Sequence, residues 1–167
     1  MQKVTPFLWF DDKAEEAAEF FVSVFNAERP GSHGGESKVL GVTRYGEAGP
    51  GAPGSAMTVS FLLEGLEFTA LNAGPHFQFT EAISFHVSCE SQDEVDYFWN
   101  ALTADGGEES QCGWLKDRYG LSWQIVPTAL SELLADPDPD KAQRVMKAML
   151  DMQKIDIAEL EEAAAAA

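Results

Sequence analysis

Two strand-like segments carry side chains capable of acid–base or hydrogen-bonding chemistry. His86 alternates with Ser84 and Ser88 in one segment, and Gln124 alternates with Ser122 in the other. Successive side chains of a strand point to opposite faces, so each set is predicted to share one face. Imidazole titrates near neutral pH, so the candidate catalytic residues are His86, as a general base or a substrate hydrogen-bonding group, and Gln124. In the alternative interpretation His86 is structural and bonded to the backbone or to serine.

Aromatic side chains accompany these polar groups. Phe7 and Trp9 share one face of an N-terminal strand by the same alternation. A cavity that combines such aromatic rings with a few polar groups suits a small, partly apolar molecule. The alternative is that Phe7 and Trp9 belong to the hydrophobic core. The predicted substrate-binding set comprises Phe7, Trp9, Ser84, His86, Trp114 and Gln124.

Other reactive side chains have weaker settings. Cys112 is predicted to be a structural thiol, because a nucleophilic cysteine needs a nearby base and only the fold could bring His86 to it. Cys89 falls on the apolar side of its strand and is predicted to be core. His33 lies in a glycine-rich loop and is predicted to be solvated. The aromatic segment 75–79 is predicted to cover a cavity or, with better support, to contact a second subunit.

A glycine-rich segment imitates a nucleotide-binding loop. Residues 49–54, GPGAPG, fit the pattern G-x-G-x-x-G. That loop binds a pyrophosphate only when a strand precedes it and a helix begins directly after it. Here the segment Ser55–Leu63 is predicted to be a strand, so no dinucleotide site is expected.

Composition limits the possible functions. The chain has 167 residues, of which 45% are hydrophobic, and 28 acidic against 11 basic side chains give a net charge of −17. This length and composition predict a folded core, while the charge disfavours nucleic acid and anionic membranes as partners. The sequence contains no apolar run long enough to cross a membrane and no evident signal peptide, and its two cysteines match no metal-binding spacing. We therefore expect a cytoplasmic protein with reduced thiols.

Hydrophobic periodicity and capping residues define the expected elements. Asp11 and Asp12 are predicted to cap a helix that ends near Asn26, and Ser91 opens a capping box with Glu94. Helices are also expected at 131–135, after Asp138 and after Asp156. The face of the helix after Asp138 is predicted to be Ala142, Val145, Met146, Met149 and Leu150. Strands are predicted at 4–10, 38–45, 56–63, 66–72, 83–89, 108–111, 112–116 and 121–126.

The order strand, helix, three strands occurs twice, which indicates an internal repeat. Ala17, Phe20, Phe21 and Val24 correspond to Val95, Phe98, Trp99 and Leu102, each pair being 78 positions apart. One such unit leaves a sheet face uncovered, so two are expected to combine. The alternative is that any amphipathic helix after a strand gives this pattern.

Four segments of the chain have a recognisable pattern: TPFLWFDDKAEEAAEFFVSVF, NAGPHFQFTEAISFHVS, CGWLKDRYGLSWQIVP and MLDMQKIDIAELEEA. Together they resemble the PhnB-like family of the glyoxalase/bleomycin-resistance (vicinal-oxygen-chelate) superfamily. The resemblance implies an α+β fold in which paired βαβββ modules form a curved mixed sheet around a cavity, and usually a homodimer. The expected domains are a first module at 1–74, a second module at 75–127 and a C-terminal helical extension at 128–167.

The same resemblance locates the positions at which metal-using relatives carry ligands. They fall near Thr5, at Glu67 or Phe68, at Ile83 or Ser84, and at Gln124. A divalent ion needs about three good protein ligands, and this set offers one carboxylate and one amide. No cofactor is therefore expected, and the metal candidates Thr5, Glu67 and Gln124 are weak.

The expected function is binding of an unidentified small molecule, or its conversion, without a full metal site. The alternatives are a metal-dependent lyase, isomerase or dioxygenase, and a largely structural dimer with a vestigial cavity. The family is also labelled 3-demethylubiquinone-9 3-methyltransferase. That activity is disfavoured because the order of elements does not build the Rossmann-like core typical of S-adenosylmethionine-dependent enzymes.

Overall fold

The first half of the chain folds into one four-stranded mixed sheet with one helix. A computed structural model describes residues 2–27 and 35–166; His33 and most of the loop around it lie outside this range. The strand order is β1-β4-β3-β2, with β1 parallel to β4 and the other neighbours antiparallel. The elements are β1 (Phe7–Phe10), α1 (Ala14–Asn26), β2 (Lys38–Arg44), β3 (Ala56–Leu63) and β4 (Leu66–Asn72).

The second half repeats this topology, which confirms the predicted duplication. Its strand order is β5-β8-β7-β6, with β5 parallel to β8 and the other neighbours antiparallel. The fold is therefore α+β, with two βαβββ-type mixed sheets followed by C-terminal helices. The elements are β5 (Phe85–Cys89), α2 (Gln92–Thr103), β6 (Glu108–Glu109), β7 (Trp114–Lys116) and β8 (Ser122–Pro127).

Three helices follow the second sheet: α3 (Thr128–Leu134), α4 (Pro139–Leu150) and α5 (Ile157–Ala165). They enclose a small core built around fully buried Val145, Ile155 and Leu160. The segment after α4 is tied to the second sheet, because the amides of Cys112 and Gly113 donate to the carbonyls of Met152 and Gln153 at 2.8 Å. The described chain divides into two compact units, one ending at Phe79 and the other beginning at Thr80, and the helices belong to the second unit. No helix in the described ranges combines the length and the apolar character that a membrane span requires.

Each sheet packs one face on its own helix. In the first unit, the alternate residues Leu8 and Phe10 are buried, and Phe61 of β3 stacks on Phe68 of β4 with ring centroids 5.4 Å apart. In the second unit, Val87 and Cys89 of β5 are buried against the side that carries α2. The buried core of these faces includes Ala17, Phe21, Val59, Phe61, Phe68, Ala70, Val95, Phe98, Leu115, Trp123 and Ile125.

Several predicted bounds differ by a few residues, and three sequence-based predictions are wrong in ways that affect packing or capping. The fifth strand begins at Phe85 rather than at Ile83, which is exposed and follows a turn in which its amide donates to the Thr80 carbonyl. Met146 and Leu150 of α4 are exposed, because only one stripe of that helix faces the small C-terminal core. The remaining error concerns the N-terminus of α1, which is capped by a residue distant in sequence. The side chain of Asn72, at the end of β4, accepts a hydrogen bond from the Ala14 amide at 2.8 Å.

Candidate functional site

A row of three side chains crosses the outward face of the second sheet, which is the face that does not pack on α2. His86 of β5 lies opposite Gln124 of β8, and Gln124 lies opposite Trp114 of β7. Residues in register on neighbouring strands project to the same face, with Cβ atoms about 5 Å apart. The second unit therefore brings together His86, Gln124 and Trp114 from the predicted substrate-binding set.

Hydrogen bonds fix part of this row. The Gln124 side-chain amide donates to Ser84 Oγ at 2.8 Å, which adds a fourth predicted residue to the cluster. His86 is exposed, and its Nδ1 lies 3.5 Å from Ser88 Oγ. An exposed imidazole beside an anchored amide can accept or donate a proton or a hydrogen bond to a molecule lying on this face.

The next row of the same face is charged. Lys116 of β7 lies opposite Glu108 of β6 and opposite Ser122 of β8. Lys116 Nζ is 2.5 Å from a carboxylate oxygen of Glu81. The hydrogen bond to Glu81 raises the pKa of Lys116, and the hydrogen bond from Lys116 lowers the pKa of Glu81. Both groups therefore keep their charges at neutral pH.

Asp117, between β7 and β8, is a buried acid that the candidate residues taken from the sequence did not include. It is 2% exposed, and burial raises its pKa to about 6 against the opposing effect of the hydrogen bonds it accepts. Those bonds come from the indole of Trp123 at 2.8 Å and from the amides of Tyr119 and Leu121 at 2.9 and 3.0 Å. The carboxyl thus fixes the turn that leads into β8. The available sequence signal was the D-x-x-G pattern of residues 117–120, which is typical of a turn.

The predicted aromatic residues of the first unit lie on the outward face of the first sheet. Phe7 is 61% exposed, so it is not a core residue. The Trp9 indole donates to the carbonyl of Gly74 at 2.8 Å and makes an edge-to-face contact with Phe77, with ring centroids 4.9 Å apart. The segment 75–79 therefore covers Trp9 within its own unit. A single cavity lined by these aromatic rings together with His86 and Gln124 stays a prediction.

The weak metal candidates stay predictions; Thr5 and Glu67 belong to the first unit and Gln124 to the second. Glu67 lies on the outward face of β4, whereas Phe68 is buried, which settles the register left open between them. The Gln2 side chain bonds both the amide and the carbonyl of Glu67, at 3.1 and 3.0 Å. Thr5 precedes β1. Within residues 2–27 and 35–166, no three or more His, Cys, Asp or Glu side chains are grouped so as to hold a metal ion.

Both cysteines are free thiols. Cys89 is fully buried, as predicted for a core residue. Cys112 is partly buried and has a left-handed backbone, with φ of 57°, in the turn between β6 and β7. Its predicted structural role is consistent with the bond from its amide to the C-terminal segment.

The glycines of the GPGAPG segment surround a tyrosine ring. A Cβ atom on Gly49 or Gly51 would lie 2.4 or 2.3 Å from the ring of Tyr45, so both positions need glycine for this packing. The Tyr45 hydroxyl donates to the carbonyl of Asn72 at 2.5 Å. The segment leads into β3, a strand, as predicted. Its glycines therefore close a loop over Tyr45 instead of exposing amides to a phosphate.

This loop borders a cavity of about 630 Å³ in the first unit. Arg44 forms a two-point ion pair with Glu15 across it, at 2.9 and 3.4 Å. No local sequence pattern indicates this cavity, because its walls come from the start of α1, the β2–β3 loop and the end of β4. Its polar lining includes Asp11, Asp12, Glu15, Arg44, Tyr45, Asn72 and His76.

The paired βαβββ topology defines the class of protein, that of the glyoxalase/bleomycin-resistance superfamily fold. Residues 2–126 match the family model described as 3-demethylubiquinone-9 3-methyltransferase. The chain therefore belongs to this PhnB-like family.

One solved structure supports that assignment, and a second shares the fold. A PhnB protein from Bacillus cereus that carries the same methyltransferase description is 35% identical, over 76% of this chain and 100% of that chain, with a TM-score of 0.65. The protein PA1353 from Pseudomonas aeruginosa shares the fold at 16% identity, over 76% of this chain and 98% of that chain, with a TM-score of 0.59. No curated protein matches the chain.

Proposed function

We propose that the protein binds a small organic molecule on the outward face of the second sheet. The proposal rests on one observation, the in-register row of His86, Gln124 and Trp114. It combines a flat apolar indole with groups that donate and accept hydrogen bonds, which is the usual composition of a small-molecule site. His86 would act as a hydrogen-bonding group, or as a general base if the bound molecule is converted.

The donor atoms favour a site that works without a tightly held ion. Thr5, Glu67 and Gln124 offer one hydroxyl, one carboxylate and one amide, a poor set for a divalent cation. A metal-dependent lyase, isomerase or dioxygenase remains the second candidate, because metal-using relatives carry ligands at these positions.

Methyl transfer, the activity in the family description, has less support. Binding of S-adenosylmethionine by doubly wound proteins uses a parallel sheet with a glycine-rich turn into a helix. Each sheet here has one parallel pair of strands, and the glycine-rich loop packs on Tyr45 before a strand. Transfer of a labelled methyl group from S-adenosylmethionine to a demethylubiquinone by the purified protein would favour this alternative.

A thermal-shift screen tests the binding proposal. Wild-type protein, the double variant His86→Ala/Gln124→Ala and the matched control His76→Ala are screened against one library of small organic molecules, with and without a chelator. A ligand at one hundred times its Kd stabilises by about 2.7 kcal/mol, or roughly 5–10 °C for a chain of this size. We expect hits that shift the wild type and His76→Ala equally, do not shift the double variant, and persist with the chelator.

Two results would contradict the proposal. Equal shifts in the wild type and the double variant would move binding to another site, such as the cavity lined by His76. Hits that disappear with the chelator and return with a divalent cation would favour the metal-dependent alternative.

A further inference from the structure

A small cavity adjoins the proposed site at the β6–β7 edge of the second sheet. Its volume is about 110 Å³, which is enough for a small polar group. Trp114 belongs to both this cavity and the row with Gln124 and His86, so the two are continuous. The lining consists of Glu81, Glu108, Glu109, Ser110, Trp114, Leu115, Lys116 and Ser122.

One wall of this cavity contains an unsatisfied hydroxyl. Ser122 is 1% exposed, and its Oγ has no hydrogen-bond partner among the described residues. A buried hydroxyl without a partner costs free energy, and such groups in native proteins call for an explanation. A polar group of a ligand seated in the cavity would give Ser122 the missing partner.

The charges around Ser122 indicate which kind of ligand group the cavity would bind. Three carboxylates and one ammonium line the cavity, and the ammonium of Lys116 is already paired with Glu81. The carboxylate of Glu109 accepts the indole hydrogen of Trp99 at 2.8 Å. Among the described residues Glu108 forms no ion pair within 4 Å, although its charge contributes to the raised pKa of Lys116, and it lies in the same cross-strand row as Ser122.

We propose that this cavity binds a protonated amino group, so that the ligand of the site is a small organic amine. The ammonium donates to the Glu108 carboxylate and to Ser122 Oγ, and it contacts the indole of Trp114. Charge-assisted hydrogen bonds and cation–aromatic contacts are both favourable for such a group. The rest of the ligand extends over Gln124 and His86, so this inference rests on the proposed function.

Nuclear magnetic resonance titration of the full chain with simple probes tests the inference. The probes are propylammonium, its uncharged isostere propanol and the anion propionate, each to tens of millimolar at constant ionic strength. We expect only propylammonium to give saturable shifts at the amides of residues 108–116 and 122 and at the Trp114 indole. Saturation by propionate alone, or by no probe, would overturn the inference.

Matched variants localise the effect. Glu108→Gln should weaken propylammonium binding roughly tenfold and Ser122→Ala roughly threefold to tenfold, whereas Glu132→Gln, on α3, should have no effect. Equal affinity in all four proteins would also overturn the inference. Ser122→Ala is expected to fold, because it removes an unsatisfied hydroxyl.

The library screen separates this inference from the proposed function. Hits that depend on His86 and Gln124 but are all neutral or anionic would leave the proposed function intact and refute the amine. If no such hit is found but propylammonium binds saturably and Glu108→Gln weakens its binding, the proposed site at His86 and Gln124 would be refuted. Amine binding in the cavity would then be retained.

Discussion

Replacing Asn72 by alanine should destabilise the protein more than any change in the acidic residues next to α1. The Asn72 side chain caps that helix, since its Oδ1 accepts from the Ala14 amide at 2.8 Å and Lys13, at the N-cap position, makes no side-chain capping bond. Its Nδ2 donates to the carbonyl of Ala56 at 3.1 Å, which ties β4 to the start of β3. Alanine removes both bonds, while the bond from Tyr45 to the backbone carbonyl of residue 72 is retained.

The size of the effect follows from what is left unsatisfied. Ala14 is fully buried, so its amide would lose its partner without gaining water, at a cost of about 1–3 kcal/mol. Loss of the bond to Ala56 adds about 1 kcal/mol. A total of about 2–4 kcal/mol corresponds to a fall in Tm of roughly 5–15 °C for a chain of this length. Asn72→Asp keeps the acceptor for Ala14 and should recover about half of the loss.

Thermal and urea unfolding, followed by circular dichroism, measure these differences. Asp12→Ala is the matched control, because Asp12 is a cap suggested by the sequence, yet among the described residues its side chain makes no hydrogen bond to a helix amide. We expect it to change the stability by less than about 0.5 kcal/mol. A larger loss in Asp12→Ala than in Asn72→Ala would refute the assignment of the cap.

Two further predictions concern the turn at Asp117 and the loop over Tyr45. Burial raises the pKa of Asp117 from 3.8 to about 6, so folding favours its neutral form. Below about pH 4 this carboxyl is neutral in both the folded and the unfolded protein. As the pH rises from about 4 to about 6 it ionises more readily in the unfolded protein, so the stability of the wild type relative to Asp117→Asn should fall by up to about 3 kcal/mol, as measured in urea titrations. A difference that rises with pH would contradict this. Gly51→Ala should lower the Tm by several degrees, because the added Cβ would lie 2.3 Å from the Tyr45 ring, whereas Gly46→Ala, with open space around it, should not.

Local signals predicted the regular elements well. The bounds of β3 and β4 were predicted without error, because alternating apolar residues are interrupted by Glu64-Gly65, whose positive φ angles of 47° and 81° suit a tight hairpin. The caps by Ser91, Asp138 and Asp156 were also predicted correctly, since each side chain accepts from an amide two or three residues ahead. All of these depend on neighbours in sequence.

Errors arose where a distant residue decides the outcome. The cap of α1 comes from Asn72, 58 residues after Ala14, and no local pattern reveals it. The exposure of Leu150 depends on which side of α4 meets the C-terminal core, not on the apolar stripe alone. For the candidate site, alternation placed His86 and Gln124 on outward faces, but their pairing required the parallel register of β5 and β8.

The two copies of the module explain why these helices begin differently. Phe10 pairs with Asn72 at the end of β1 and β4, and Cys89 pairs with Pro127 at the equivalent point of β5 and β8. Proline has neither a side-chain acceptor nor an amide hydrogen, so the second copy cannot cap its helix from the neighbouring strand. There the Ser91 side chain accepts from the amide of Glu94 at 3.3 Å and supplies the cap locally.

The same correspondence shows that equivalent positions on the outward faces of the two sheets carry different residues. Leu8 and Phe10 are buried as Val87 and Cys89 are, so Phe7 occupies in the first copy the place of His86 in the second. Across the parallel pair, Phe7 faces Thr69 whereas His86 faces Gln124. At this pair of positions one topology thus presents a phenyl ring and a hydroxyl in the first unit, and an imidazole and an amide in the second. The in-register imidazole–amide pair lies on the second sheet, which is why binding is assigned to that face.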